Sequence, residues 1–171
     1  YTDLLVDVGD TFSFLSQTNP NENLRLFCNG IRIADPNNSP IIEKNIIVNS
    51  LGDHQLILSA DDGNTILYDT ISYVVIPPIN YIDPPIGLVD GINYINDSTV
   101  TLKFFAPEKS TVNLIGEHNN WEVNSSSFMS LSTDSSYWWK TISNLTPGLK
   151  YTYQYLVDGI IKIADPLSPS I

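Results

Sequence analysis

The sequence predicts an all-β protein made of two tandem immunoglobulin-like β-sandwich domains. Nearly every segment is a short run of β-branched and aromatic residues bounded by Gly, Pro, Asn or Asp, which is typical of strands. No long segment repeats its apolar residues at the helical period of 3.6, so almost no helix is expected. The length of 171 residues fits one ordinary domain or two small ones. A proline-rich stretch near the middle favours two.

The first half contains a series of predicted strands separated by turn residues. Asn29-Gly30 is the strongest two-residue hairpin signal, and 61–64 is a second turn. Short strands at this spacing predict an immunoglobulin-like sandwich over residues 1–78. The predicted strands are 11–15, 24–28, 31–34, 41–48, 55–59, 65–68 and 71–76.

Residues 76–85 contain four prolines in ten positions. Because proline fixes φ and lacks a backbone donor, this stretch cannot form a central strand. Residues 79–86 are therefore predicted to be a stiff, extended linker. Residues 87–171 are predicted to form a second β-sandwich, with a tight turn at Asp158-Gly159. Its predicted strands are 99–105, 111–116, 128–131, 137–142, 150–157 and 160–164.

The charge balance narrows the range of partners. A formal net charge of −11 disfavours nucleic acid and anionic membrane surfaces, and no apolar run approaches the ~20 residues of a membrane span. Only 16% of the residues are charged, which suits neutral ligands such as sugars, although any acidic secreted protein could share this composition. The first residue is Tyr1 and no signal peptide is visible, so we expect a segment of a larger protein.

Catalytic chemistry is not expected. The two histidines, His54 and His118, fall in different predicted domains, and neither accompanies a nucleophile motif. The carboxylates lie mainly in turns, no Cys/His cluster has zinc spacing, and 61–64 is too short for a calcium loop. The single Cys28 alternates with Leu24 and Leu26, which favours a small buried side chain over a reactive thiol. We therefore predict no catalytic residues, no metal and no cofactor.

The second half contains an ordered set of motifs. A strand ending at Gly116 is followed by Asn119-Asn120-Trp121, the aromatic strand 137–142, a Leu-x-x-Gly at 145–148, the segment 151–159 and Ala-Asp-Pro at 164–166. This order resembles carbohydrate-binding module family 48, the glycogen-binding or isoamylase N-terminal type, over residues 85–171. The first half is similar only in architecture to the immunoglobulin-like modules that precede such domains in secreted bacterial amylases.

The resemblance implies a non-catalytic N-terminal part of an α-amylase-type (glycoside hydrolase family 13) enzyme, with the catalytic barrel following Ile171. It implies binding of an α-glucan, with Trp121 stacking on a sugar and Asn119 and Asn120 beside it. Gln154 stands where the family commonly has a polar contact such as Lys, and Ile161 stands near the place of a second stacking Trp.

Adjacent residues of a strand point to opposite faces, so Trp138 is predicted in the core and Trp139 outward. Trp139 could contact sugar, pack against the catalytic domain or pack at the rim of the sandwich. Tyr151, Tyr153 and Tyr155 form a same-face stripe, which is more often core than binding platform.

Two functions remain open. One is an α-glucan-binding module, and the other is a structural spacer or scaffold packed against the catalytic barrel without binding sugar. A free-standing adhesin would fit the first half alone. The expected protein is a monomer that is secreted or displayed on the bacterial cell surface, without nucleic-acid partners or membrane insertion.

Overall fold

The computed structural model describes residues 4–20, 22–36 and 39–168. The chain divides into two compact units between Pro77 and Pro78. Each unit is built from strands, and the only helical element of the described residues is a single 3-10 turn. The predicted all-β class with two tandem sandwiches is confirmed. No helix within the described ranges is long and apolar enough to cross a membrane.

The first unit packs a five-stranded sheet against a two-stranded one. Alternation along the strand Asn23–Cys28 places Leu24 and Leu26 in a core that they share with Ile42 and Ile46 of the strand Ile41–Ile47. The Asn29-Gly30 turn has positive φ at both positions, as a two-residue hairpin of this kind requires, so that prediction is confirmed. The strands are β1 (Leu4–Val6), β2 (Thr11–Gln17), β3 (Asn23–Cys28), β4 (Ile31–Ala34), β5 (Ile41–Ile47), β6 (Gly52–Asp61) and β7 (Ile66–Val75), in the sheet orders β1-β7-β6-β3-β4 and β2-β5.

Two strand predictions in this unit are corrected. The segments 65–68 and 71–76 form one strand, because β7 pairs with β6 continuously from Asp61↔Ile66 to Gly52↔Val75. The first strand, Leu4–Val6, was not predicted, and it forms by parallel pairing with the end of β7. Cys28 is half-buried, and its Sγ lies 3.7 Å from the Tyr73 hydroxyl.

The second unit is a sandwich of a four-stranded and a three-stranded sheet. Trp138 is 2% exposed in its core and donates its indole N–H to Ala106 O at 3.0 Å, while Phe104 stacks on Tyr155 at 4.2 Å across the sheets. The elements are β8 (Gly91–Asn96), β9 (Thr99–Phe105), β10 (Val112–Gly116), the 3-10 turn (Glu117–Asn119), β11 (Ser130–Leu131), β12 (Tyr137–Ile142), β13 (Tyr153–Val157) and β14 (Ile161–Ile163), in the orders β11-β12-β9-β8 and β10-β13-β14.

Strand β8 was not predicted from the sequence. It contains Gly91, Asn93 and Asn96, and these residue types are depleted in strands. Pairing with β9 determines its conformation, and the Asn93 side-chain amide bridges backbone carbonyls of Val89, Gly91 and Thr101. Tertiary contacts therefore override local preference here.

The segment predicted as a linker, 79–86, belongs to the second unit and makes hydrogen bonds to the rest of it. Tyr81 pairs in parallel with Leu131, and the Asp83 carboxylate accepts bonds from the Thr133 N–H and hydroxyl at 2.8 and 2.7 Å. These bonds lower the pKa of Asp83. Trp139 donates its indole N–H to Ile82 O at 2.7 Å. Residues 80–83 thus extend the edge of the sheet beside β11.

Candidate functional site

The turn that follows β10 requires glycine at position 116. A Cβ added to Gly116 would lie 2.4 Å from Thr152 O and 2.9 Å from Tyr153 Cα, closer than real Cβ contacts allow. Two segments of the backbone are held together there. Glu117 N–H donates to Thr152 O at 3.0 Å, and Thr152 N–H donates to the Glu117 carboxylate at 2.8 Å. The close approach determines where the following residues emerge.

Asn119 holds this turn from the inside. Its Oδ1 accepts a bond from Gly116 N–H at 2.9 Å, and its Nδ2 donates to Leu114 O at 3.1 Å and to Glu122 O at 3.0 Å. The side-chain amide is therefore occupied by three backbone groups. Asn120 follows in the left-handed conformation and is exposed.

Trp121 is presented on a rigid backbone. Its N–H donates to Gly116 O at 2.8 Å, and its φ of 62° is unusual for a bulky residue. The side chain is 43% exposed. The turn thus holds a large aromatic ring partly in solvent, in a conformation that only the surrounding hydrogen bonds maintain.

Gln154 and Lys162 lie on the outer face of the same sheet. Gln154 pairs with Ile115. Leu156 is two residues after Gln154 on the same face of β13, and it pairs with Lys162. Because paired residues point to the same face, Gln154 and Lys162 share one face of the sheet. The Gln154 side chain is half-buried, and within the part of the chain that the structure describes its amide makes no hydrogen bond. Lys162 is exposed. Trp121, Asn119, Asn120 and Gln154 are thus brought to the same end of β10.

Sequence reasoning missed Lys162. Ile161, the position that it singled out, pairs with the core residue Val157 and so has the opposite parity, although Ile161 is 55% exposed. The alternation in Ile161-Lys162-Ile163 could have indicated Lys162. Successive residues of a strand point to opposite faces, so Lys162 points away from the face that its two isoleucine neighbours share.

Trp139 does not lie on this surface. It is adjacent to the buried Trp138 on β12, so alternation places it on the outer face of the other sheet, opposite Lys103 of β9 and Ser130 of β11. It is half-buried, and its indole N–H is bonded to the 80–83 segment. The predicted inward and outward directions of the two tryptophans agree with the structure, and Trp139 contacts the 80–83 segment through its indole N–H.

A lysine and a histidine lie near the interior of the second unit. Lys140 has the inward parity of Trp138, and its Nζ donates to Phe128 O at 3.0 Å. Burial lowers the pKa of Lys140. Burial also lowers the pKa of His118, with a further contribution from the Lys140 charge, so the imidazole is neutral at neutral pH.

The Ala-Asp-Pro motif at 164–166 joins the chain to the core through a buried carboxylate. Asp165 Oδ2 accepts bonds from the Tyr153 and Tyr155 hydroxyls at 2.5 and 3.3 Å, and Oδ1 accepts the Leu167 N–H at 2.9 Å. Burial, and then the Asp165 carboxylate, raises the pKa of both tyrosines. Among the described residues, no three His, Cys, Asp or Glu side chains are grouped so that they could hold a metal ion.

Comparison with known proteins found a family match for most of the second unit. Residues 91–168 match the family model of carbohydrate-binding module 48 (isoamylase N-terminal domain), which confirms the resemblance drawn from the motifs. No curated protein matches the chain.

Solved structures with similarity to the chain include two pullulanases. The pullulanase of Anoxybacillus sp. LM18-11 is 16% identical with a TM-score of 0.38, and 99% of this chain aligns with 26% of that one. The GBS pullulanase SAP in complex with maltotetraose is 12% identical with a TM-score of 0.37, and 99% of this chain aligns with 23% of that one. The FN1-FN3 domains of chicken CNTN1 are 11% identical with a TM-score of 0.27, with 94% of this chain and 65% of that one aligned. The chain thus spans about a quarter of the length of the pullulanases.

Proposed function

We propose that the second unit, a non-catalytic carbohydrate-binding module, binds α-glucan (starch, glycogen or maltooligosaccharide) on the surface formed by Trp121, Gln154 and Lys162. The observation that carries the proposal is the rigid presentation of Trp121. Its ring is 43% exposed, and the backbone beneath it is fixed by hydrogen bonds around Gly116 and Asn119. Strained, over-determined backbone of this kind is concentrated at functional positions.

The chemistry of the surface fits a glucan. An indole face offers a flat apolar platform for a pyranose ring, while the Gln154 amide and the Lys162 ammonium can bond to its hydroxyls. Asn119 contributes by shaping the turn, because its amide is already bonded to backbone. Loss of the Trp121 ring is expected to weaken binding by about 2 kcal/mol, or roughly thirtyfold.

The test is a titration with maltoheptaose, followed by tryptophan fluorescence. All three tryptophans lie in the second unit, and Trp138 is buried, so a saturable change reports Trp121 or Trp139. Trp121→Ala is expected to weaken binding roughly thirtyfold. The matched control is Phe105→Ala, which removes an aromatic ring that is 57% exposed on the other sheet and should leave affinity unchanged. Equal affinities of the Trp121→Ala variant and the parent would refute the proposed surface.

The second candidate function is a scaffold that packs against a catalytic barrel of the α-amylase type. Ile160 and Ile161 favour it, because they are 84% and 55% exposed at the turn after β13, where a stacking aromatic residue would otherwise serve the sugar. Scattered exposed apolar residues are common, so only the pair at this position is informative. The scaffold function predicts that Ile160→Ser with Ile161→Ser lowers the melting temperature of the barrel in the longer protein. An unchanged melting temperature would exclude it.

A further inference from the structure

One end of the second sandwich is open between its sheets. Tyr94 of β8 pairs with Val100 of β9, which in turn pairs with Ile142 of β12, so all three point to the core side of their sheet. Val100 is 7% exposed, whereas Tyr94 is 78% exposed. The facing sheet ends near this row, because β10 ends at Gly116 and β13 begins at Tyr153, which also lines the space beside Tyr94.

The uncovered row forms one wall of a cleft of about 780 Å³. Val100 and Leu102 line this cleft, together with residues of the loop 145–152 that include Tyr151. His118 also lines the cleft, as does Asp165. This volume lies within the range of about 300–1,000 Å³ that is usual for small-molecule sites.

The polar groups around the cleft favour a ligand that is rich in hydroxyls and carries no net charge, because the two exposed charged residues of the lining, Asp97 and Lys150, have opposite charges. Asn96, Thr146 and Thr152 bring amide and hydroxyl groups to the lining, beside the tyrosine rings. The Asp165 carboxylate already accepts three hydrogen bonds from the protein, and its side chain is buried. Flat aromatic walls with neutral donors and acceptors are the combination that binds a sugar ring and its hydroxyls.

We propose that this cleft is a second saccharide site, which takes a short maltooligosaccharide between Tyr94 and the 145–152 loop. The ligand class rests on the proposed function, but the residues do not, because Tyr94 and Tyr151 take no part in the Trp121 surface. The two sites can therefore be removed one at a time.

The experiment uses the whole chain with Trp121→Ala and maltotriose as the probe. The chain has only two histidines, so the side-chain nitrogen resonances of His118 report on the cleft and those of His54, in the first unit, serve as reference. We expect a saturable shift of His118 with no shift of His54. Adding Tyr94→Ala is expected to weaken this binding roughly tenfold, since an aromatic wall is lost.

Tyr68→Ala is the matched control, because Tyr68 is 68% exposed in the first unit and should leave the maltotriose affinity unchanged. If Trp121→Ala shows no saturable His118 shift while the parent binds maltotriose, the cleft proposal is overturned and the Trp121 surface stands. If Trp121→Ala binds as well as the parent and Tyr94→Ala alone weakens binding, the cleft stands and the Trp121 surface fails. Equal behaviour of the Tyr94→Ala and Tyr68→Ala variants would also overturn the cleft.

Discussion

Replacing Gly116 with alanine should damage the turn that presents Trp121. The new methyl group would meet Thr152 O at 2.4 Å and Tyr153 Cα at 2.9 Å, and neither backbone atom can rotate away. Such overpacking costs about 1–3 kcal/mol. Moving the backbone at Gly116 away from Thr152 also weakens the hydrogen bond from Glu117 N–H to Thr152 O, which is worth about 1 kcal/mol. The expected destabilisation is about 2–4 kcal/mol, or roughly 10 to 25 °C in melting temperature for a unit of this size.

Tryptophan fluorescence during heating measures this effect in the second unit alone, since all three tryptophans lie there. Gly148→Ala is the control for the loss of a glycine. Gly148 has a φ of 78° and nothing within 4 Å of the added Cβ, so only the backbone preference, about 1–2 kcal/mol, is lost. Gly116 has an extended φ of 171°, which any residue can adopt. A Gly116→Ala melting temperature equal to that of the parent protein would refute the steric argument.

Three further predictions concern titration and tautomers. The raised pKa values of Tyr153 and Tyr155 mean that the unfolded chain loses these protons first, so the second unit should lose stability as pH rises above about 10, and less so in Tyr153→Phe, measured by urea unfolding. The lowered pKa of His118 gives the opposite pH dependence, because the unfolded chain takes up this proton first. Stability should fall as pH drops below about 6.5, and His118→Gln should flatten that slope. In the first unit, His54 Nδ1 accepts from the Asn29 amide at 2.8 Å, so nitrogen NMR should find the proton on Nε2.

Each of these predictions has a clear contrary result. A free energy of unfolding that stays constant between pH 9 and pH 11 would contradict the tyrosine prediction. A pH dependence below 6.5 that is unchanged in His118→Gln would contradict the histidine prediction. The orientation of the Asn29 amide is fixed because its Oδ1 accepts the Gln55 N–H at 3.0 Å. A proton on Nδ1 of His54 would therefore contradict the bonding described.

Local pattern was sufficient for much of the fold. Alternation in the strand Tyr137–Ile142 predicted that Trp138 is buried, and the structure shows it 2% exposed. The Asn29-Gly30 turn followed from backbone preference alone. The order of motifs around Trp121 predicted a resemblance to the family whose model matches residues 91–168.

Long-range contacts account for what the sequence could not predict. The bonds of Asp83 go to Thr133, fifty residues away, so proline content alone indicated a stiff, extended linker and not a segment bonded to a sheet edge. The indole N–H contact of Trp139 depends on the same segment. Asn119 was predicted beside the sugar, but its amide holds the turn, and residue type does not separate the two roles. Alternation in β14 could have indicated the direction of Lys162, but its alignment with Leu156 follows only from the pairing of β14 with β13.

The position of Asp165 has a consequence for folding during synthesis. The two tyrosine hydroxyls that donate hydrogen bonds to the Asp165 carboxylate belong to residues of β13, and Tyr155 is fully buried. A nascent chain that has released β13 but not Asp165 would leave these hydroxyls without their acceptor, at a cost of about 1–3 kcal/mol each. Domains generally fold as units as they leave the ribosome. The second unit therefore gains the full stabilisation of these two hydroxyls only after Asp165 has emerged.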